Sequence, residues 1–123
     1  MRIVWHGHYL KYFEVARCEL LKKIDFGYEK METSGYAWPI TDTRLQYVNS
    51  AYFGQKIEVI ASLVEYDMRL KIKYLIRDVA TQQRLTKGYS VQVAVDIATR
   101  EMQLNTPEVL LNKLEKYRDS QSL

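Results

Sequence analysis

A chain of 123 residues, 47% apolar and 27% charged, has the length for one domain with a genuine core, so a single domain over 1–123 is expected. Its net charge of +3 is scattered rather than gathered into a basic tail, and no nucleic-acid motif is present, so no nucleic-acid partner is expected. A single cysteine, Cys18, excludes an intrachain disulfide and a cysteine-built zinc cluster; no run has transmembrane length or signal-peptide form, which leaves a cytoplasmic protein without a membrane partner as the expectation.

The opening stretch, MRIVWHGHYLKYFEVARCELL, holds both histidines of the chain, His6 and His8. From Tyr9 the apolar residues Tyr9, Phe13, Ala16, Leu20 and Ile24 form one helical stripe, with Lys11, Glu14, Cys18 and Lys22 on the other side. Asp25, Phe26 and Gly27 are a stop signal, with Gly27 able to take the left-handed conformation that ends helices. YEKMETSG, residues 28–35, reads as a connection with room for a helical turn. YAWPITDTRLQYV is extended, and Pro39 argues for an edge position or an irregular start.

Three more strands follow. Ile57, Val59, Ala61 and Leu63 alternate with polar neighbours, and Leu70, Ile72, Tyr74 and Ile76 share a face opposite Arg69, Lys71, Lys73 and Arg77. Tyr89, Val91, Val93, Val95 and Ile97 are expected to share a face of the last strand. Short links join the three into an antiparallel meander. A second helix closes the chain, with Thr106 as N-cap, Pro107 in the first position and Glu108 complementing the dipole. The order of helix, four strands and helix predicts an α+β layer with a curved antiparallel sheet wrapped round the first helix. Ten tyrosines suit half-buried sheet faces and interfaces between subunits.

The chain has no nucleophile elbow, phosphate loop or dinucleotide fingerprint. Cys18 lies mid-helix without an identifiable partner and reads as structural. His6 and His8 alone make a poor zinc site, so neither a metal nor a cofactor is expected. The basic run RLKIKYLIR reads most simply as a solvated sheet face, and more sharply as a basic surface meeting a phosphorylated ligand or nucleic acid. His6, Gly7 and His8 fall where the long helix begins. Its first backbone N–H groups lack internal partners and sit at the positive end of the dipole, a spot that polarises a carbonyl or holds an oxyanion. Gly7 would let a ligand approach the backbone. The plainer alternative is that His6 only caps the helix and Tyr9 only packs.

IVWHGHYLKYFEVAR resembles the signature of the hotdog-fold acyl-CoA thioesterases of the 4-hydroxybenzoyl-CoA thioesterase family, D-x-x-G-x-V-x-H-x-x-Y-x-x-Y-F-E-x-A-R. Val4, His6, Tyr9, Tyr12, Phe13, Glu14, Ala16 and Arg17 match it in register. The layout of one long helix and an antiparallel meander extends the likeness over nearly the whole chain. The resemblance implies a hotdog fold and hydrolysis of an acyl-CoA or acyl-carrier-protein thioester, in a homodimer or homotetramer. It implies that the amides around His6 and Gly7 face the thioester carbonyl, that His6 orders the site and that Tyr9 lines it. His6 and Tyr9 are the candidate catalytic residues; Trp5, Gly7 and His8 are the candidate substrate-binding ones. Trp5 and Trp38 suit an acyl pocket and the core equally.

The family pattern also carries an aspartate further ahead of the motif histidine than this sequence reaches, and Arg2 stands at the pattern's glycine. The expectation is that the chain begins at an internal methionine and that the carboxylate and first strand lie upstream. Within the chain, His8 is the candidate general base; Glu14 reads as structural, and the positions of Asp42 and Asp67 relative to the site are open. The alternative function is a non-catalytic hotdog module that binds acyl thioesters or serves assembly. A dehydratase or hydratase of the same fold is a third reading.

Overall fold

Residues 6–49 and 56–121 are described in the computed structural model, with side chains over 10–49 and 56–117. The apolar stripe of the opening segment becomes helix α1, His6–Lys23. Along it Phe13, Leu21 and the following Ile24 are buried, Ala16 and Leu20 half-buried, and Lys11, Glu14, Cys18 and Lys22 exposed. The helix stops one step earlier than the glycine suggested. Asp25, not Gly27, takes the left-handed backbone, with φ of 59°. The Phe26 N–H donates to the Leu21 carbonyl at 2.8 Å and the Asp25 N–H to the Lys22 carbonyl at 3.0 Å. This is a Schellman ending, a conformation that aspartate tolerates better than most residues. Gly27, with φ of −72°, instead stands just before helix α2, Tyr28–Thr33, the turn foreseen in the connection.

Strand β1, Tyr36–Ala37, and β2, Ile40–Tyr47, flank Trp38 and Pro39. Then come β3, Ile57–Glu65, β4, Leu70–Asp78, and β5, Arg84–Gln92. These form a four-stranded antiparallel sheet in the order β2-β5-β4-β3, so β2 is an edge strand, as Pro39 implied. β6, Val95–Asp96, pairs with β1 in a separate two-stranded ribbon. Helix α3, Glu108–Gln121, closes the described chain. Its start agrees within one residue with the reading from Thr106 and Pro107; the Thr106 N–H donates to the Asp67 carbonyl at 2.8 Å.

One face of the sheet lies against α1. Phe13, Ile72, Tyr74, Ile76 and Leu85 make the first buried cluster, with Ile57, Val59, Ala61 and Leu63 of β3 packed on it. The apolar residues that alternate along β3 and share a face of β4 are thus the ones turned toward α1. A second cluster joins Leu21, Ile24 and Phe26 to Leu70 and to Leu110 and Leu114 of α3. A hydrogen-bonded ion pair between Lys113 and Asp25 ties α3 to the end of α1. The neighbouring ammonium holds the Asp25 carboxyl below its ordinary value of 3.8.

Tyr89 and Val91 share a face of β5, as expected, but it is the outer one, and the run does not continue to Val93, Val95 and Ile97. Thr86, Gly88 and Ser90 pair with Ile76, Tyr74 and Ile72, so these small residues face α1, while Tyr89 and Val91 pair with Lys73 and Lys71 on the outer face. The strand ends at Gln92, Val95 belongs to β6, and Ile97 is exposed. The reason is volume. The Phe13 and Tyr74 rings stack with centroids 4.5 Å apart and 10° between planes, and they fill the space that larger side chains on β5 would need.

Gly88 sits under that stack. A Cβ built there would run into the Arg44 carbonyl oxygen and come 2.7 Å from Phe13 Cε2. Glycine is thus what lets α1 lie so close to the centre of the sheet.

Candidate functional site

The residues of the opening motif that resemblance assigned to chemistry fall in the first turn of α1. His6, Gly7, His8 and Tyr9 are helical; their side chains, and Trp5 as a whole, lie outside the described residues. The first turn contains no acidic residue, whereas the last turn carries Lys22 and Lys23. The negative end of the dipole is therefore compensated by the helix's own sequence and the positive end is not. The N–H groups of the first turn lack intrahelical acceptors in any α-helix. Together these leave partial positive charge at the start of α1, an arrangement chemically suited to an anion or a polarised carbonyl oxygen.

Along its flank, α1 forms one wall of an open groove of about 1030 Å³. Glu14, Arg17 and Cys18 come from the helix, while Tyr36, Trp38 and Gln92 come from the β side. Trp38 packs against the core and also lines the groove. It meets Phe26 edge-on, with centroids 5.3 Å apart and 82° between planes, lies edge-on to Tyr36, and donates from Nε1 to Ser34 Oγ at 3.5 Å. Gln92 is 5% exposed; its Nε2 donates to the Trp38 carbonyl at 2.9 Å, and its Oε1 has no hydrogen-bond partner among the described residues.

Beneath the helix a polar pair crosses the core. Tyr74 Oη and Ser90 Oγ are 2.7 Å apart. Burial raises the Tyr74 phenol above its ordinary value of 10.0, opposed by the Ser90 hydrogen bond and by the Arg17 charge. A raised phenol favours folding below the unfolded-state value of about 10, and that contribution is lost as pH rises through the higher folded-state value. Tyr74→Phe should cost about 1–2 kcal/mol at neutral pH, because Ser90 loses its partner. Urea midpoints of wild type and variant should then converge as the pH is raised from 8 to 11. A gap that stays constant would count against the assignment.

The internal carboxylates are not gathered at the helix start. Glu14 is exposed on the groove wall. Asp42 pairs with Val91 on the outer face of the sheet, where its Oδ2 accepts from the Tyr89 hydroxyl at 3.1 Å. Asp67 lies in the β3–β4 turn, its carbonyl engaged by Thr106. Cys18 is free and exposed, and the described residues hold no cluster of His, Cys, Asp and Glu able to bind a metal. Sequence reasoning did not find Gly88, Ser90 or Gln92. Only the pairing of β5 with β4 reveals that this small and polar set faces the helix, against the apolar parity of the strand.

Residues 1–114, which include the opening motif and the sheet, match the Thioesterase-like superfamily. The chain belongs to that superfamily. Its hotdog architecture is shared with solved thioesterases. The DHNA-CoA thioesterase from Staphylococcus aureus superposes with a TM-score of 0.78 at 27% identity, covering 98% of this chain and 80% of that one. Slr0204, a 1,4-dihydroxy-2-naphthoyl-CoA thioesterase from Synechocystis, has the same fold with a TM-score of 0.78 at 16% identity, over 90% of this chain and 82% of that one. Among curated sequences, a Bacillus subtilis protein bearing the name "Putative acyl-CoA thioesterase YneP" is 33% identical over 67 residues, 54% of this chain and 49% of that protein. In this thioesterase-like chain no helix among the described residues is long and apolar enough to cross a membrane.

Proposed function

We propose that this chain is an acyl-CoA or acyl-carrier-protein thioesterase, hydrolysing a thioester to a free acid and a thiol, within the 4-hydroxybenzoyl-CoA thioesterase branch that its opening motif resembles. The observation that carries this reading is the coincidence of the motif with the N-terminus of α1, whose first turn holds no acidic residue. Water, activated by a carboxylate or another base, adds to the thioester carbonyl; the oxyanion is held by the amides of the first turn; the C–S bond breaks and the thiol leaves with a proton. In this scheme His6 orders the helix start, Tyr9 lines it, and Trp5, Gly7 and His8 contact the substrate. The groove with Trp38 and Tyr36 is an apolar wall for an acyl group.

The β2 edge supports an assembly of two or four copies. Its outer side is unpaired among the described residues, and Ile40, Tyr47 and Val48 along it are exposed, a combination that favours pairing with a second strand.

The deciding experiment measures thiol release from short-chain, long-chain and aromatic acyl-CoAs and from acyl-carrier protein. It compares the 123-residue chain with a form extended upstream in its reading frame. Turnover by the extended form alone would assign the carboxylate to the added residues. Turnover by both would place the base inside the chain, and His8→Ala should then abolish it. In whichever form is active, His6→Ala should lower kcat by about a hundredfold. If neither form releases thiol while acyl-CoA still binds, the reading falls to the non-catalytic binding module; release of water from a 3-hydroxyacyl group with the thioester intact would replace it with a dehydratase.

A further inference from the structure

The basic alternation of β4 plays no part in the thioesterase reading, because it faces away from α1. Register places Lys71 and Lys73 of β4 on the outer face with Tyr89 of β5, and Arg44 of β2 beside Tyr89. Lys87 and Arg84 of β5 complete the set, and all five cations line one concavity of about 670 Å³. That volume is in the range of small-molecule sites. The wall toward β3 is apolar, formed by Ile60, Val64 and Leu75.

None of the five cations has a carboxylate partner among the described ion pairs. The carboxylates of this face are already engaged. Glu58 pairs with Arg77 and Glu65 with Arg69, while Asp42 accepts from Tyr89. Lys71 lies over the Tyr89 ring, 4.5 Å from its centroid, and so is held on the face. Arg84 is the direct cross-strand neighbour of Arg77, but the Glu58 carboxylate is taken by Arg77 and leaves Arg84 without a counter-charge among the described ion pairs. The same charge opposes a second copy of the chain across this face.

From this arrangement we infer that the outer face of the sheet binds a nucleoside polyphosphate. Neighbouring strands are about 4.8 Å apart and residues two apart on one strand about 7 Å, so the cations of β2, β4 and β5 reach several phosphoryl groups of one chain at once. A single phosphate would leave most of them unpaired, and a nucleic acid would call for a basic track rather than one concavity. The adjoining Ile60, Val64 and Leu75 cover the apolar faces of the base. The site lies on the side of the sheet opposite α1 and is independent of the thioesterase reading.

The test titrates the whole chain with ATP, inorganic triphosphate and coenzyme A, by calorimetry at low salt. Lys73→Gln combined with Lys87→Gln is the variant, and Lys30→Gln combined with Lys116→Gln is the control. Because these are surface changes on exposed side chains, both should melt as the wild type does, and Arg84→Gln serves if one does not. ATP is expected to bind, more tightly than triphosphate, and its affinity should fall by roughly tenfold or more in the first variant and stay unchanged in the control. Coenzyme A displacing ATP from this face would assign the same chemistry to the nucleotide end of a larger ligand; coenzyme A that binds without displacing ATP would leave the free nucleotide as the occupant. No ATP binding at millimolar concentration, or equal binding by variant and wild type, would overturn the inference. So would tighter, steeply salt-dependent binding of duplex DNA, or a smaller assembly mass in the Lys73 and Lys87 variant.

Discussion

Gly88→Val should lower the stability of the fold by about 3 kcal/mol or more, seen as a fall of roughly 10 °C in melting temperature. The glycine lies between two neighbours that cannot both retreat. On one side is the Phe13 ring, itself stacked on Tyr74; on the other is the backbone carbonyl of Arg44 in β2, paired with β5 through Leu45 and Gly88. Shortening Phe13 to leucine makes room only on the first side, so Phe13→Leu should not rescue Gly88→Ala. A substitution at Gly27 is a fitting contrast. A Cβ there meets only the flexible Lys22 side chain, at 3.4 Å, and the backbone is in ordinary territory, so Gly27→Ala should change stability by less than about 0.5 kcal/mol. Equal losses at both glycines would show that backbone freedom, and not clearance under α1, is what matters.

Phe26→Ala should cost about 4 kcal/mol, measured as a lower urea midpoint with little change in slope. Phe26 is fully buried and sits where the ending of α1, the Trp38 indole and the leucines of α3 converge. Its side chain is also the apolar clasp of the Schellman ending, meeting Leu21 in the same cluster. Truncation leaves a cavity bounded by three different elements, which cannot collapse without moving one of them. A loss below about 1.5 kcal/mol would mean that α3 closes the gap and is less firmly seated than the geometry indicates.

The elements most legible in the sequence were those in which one pattern had a single solution. The stripe through Phe13 and Ile24 could only be a helix, and the alternation from Leu70 to Ile76 could only face it. The hotdog arrangement followed from the opening motif, and the superfamily match agrees. The shared face read on the last strand holds for Tyr89 and Val91 but not for Val93, Val95 and Ile97, because the strand ends at Gln92. Which parity faces the core depends on how much room the Phe13–Tyr74 stack leaves, a tertiary fact that alternation cannot carry. Within the stop segment 25–27 it is Asp25 and not Gly27 that takes the left-handed backbone, because it stands closer to the last apolar contact of the helix. The start of α1 was located by its motif, whereas the groove beside it depends on Gln92 and Trp38 meeting from strands far apart in sequence.

The β2 edge, described above as a place for a second copy to join, also has a consequence for a chain kept alone. Its outer N–H and C=O groups, unpaired among the described residues, would accept an extended peptide of suitable polarity. An eight-residue edge strand, blunted only by Pro39, Asp42 and Arg44, would template further growth at high concentration wherever it stays unpaired. A short synthetic peptide copying ITDTRLQY, with alternate amides methylated, would occupy that ladder from one side and offer nothing on the other. Such a cap converts the edge from a seed into a terminus.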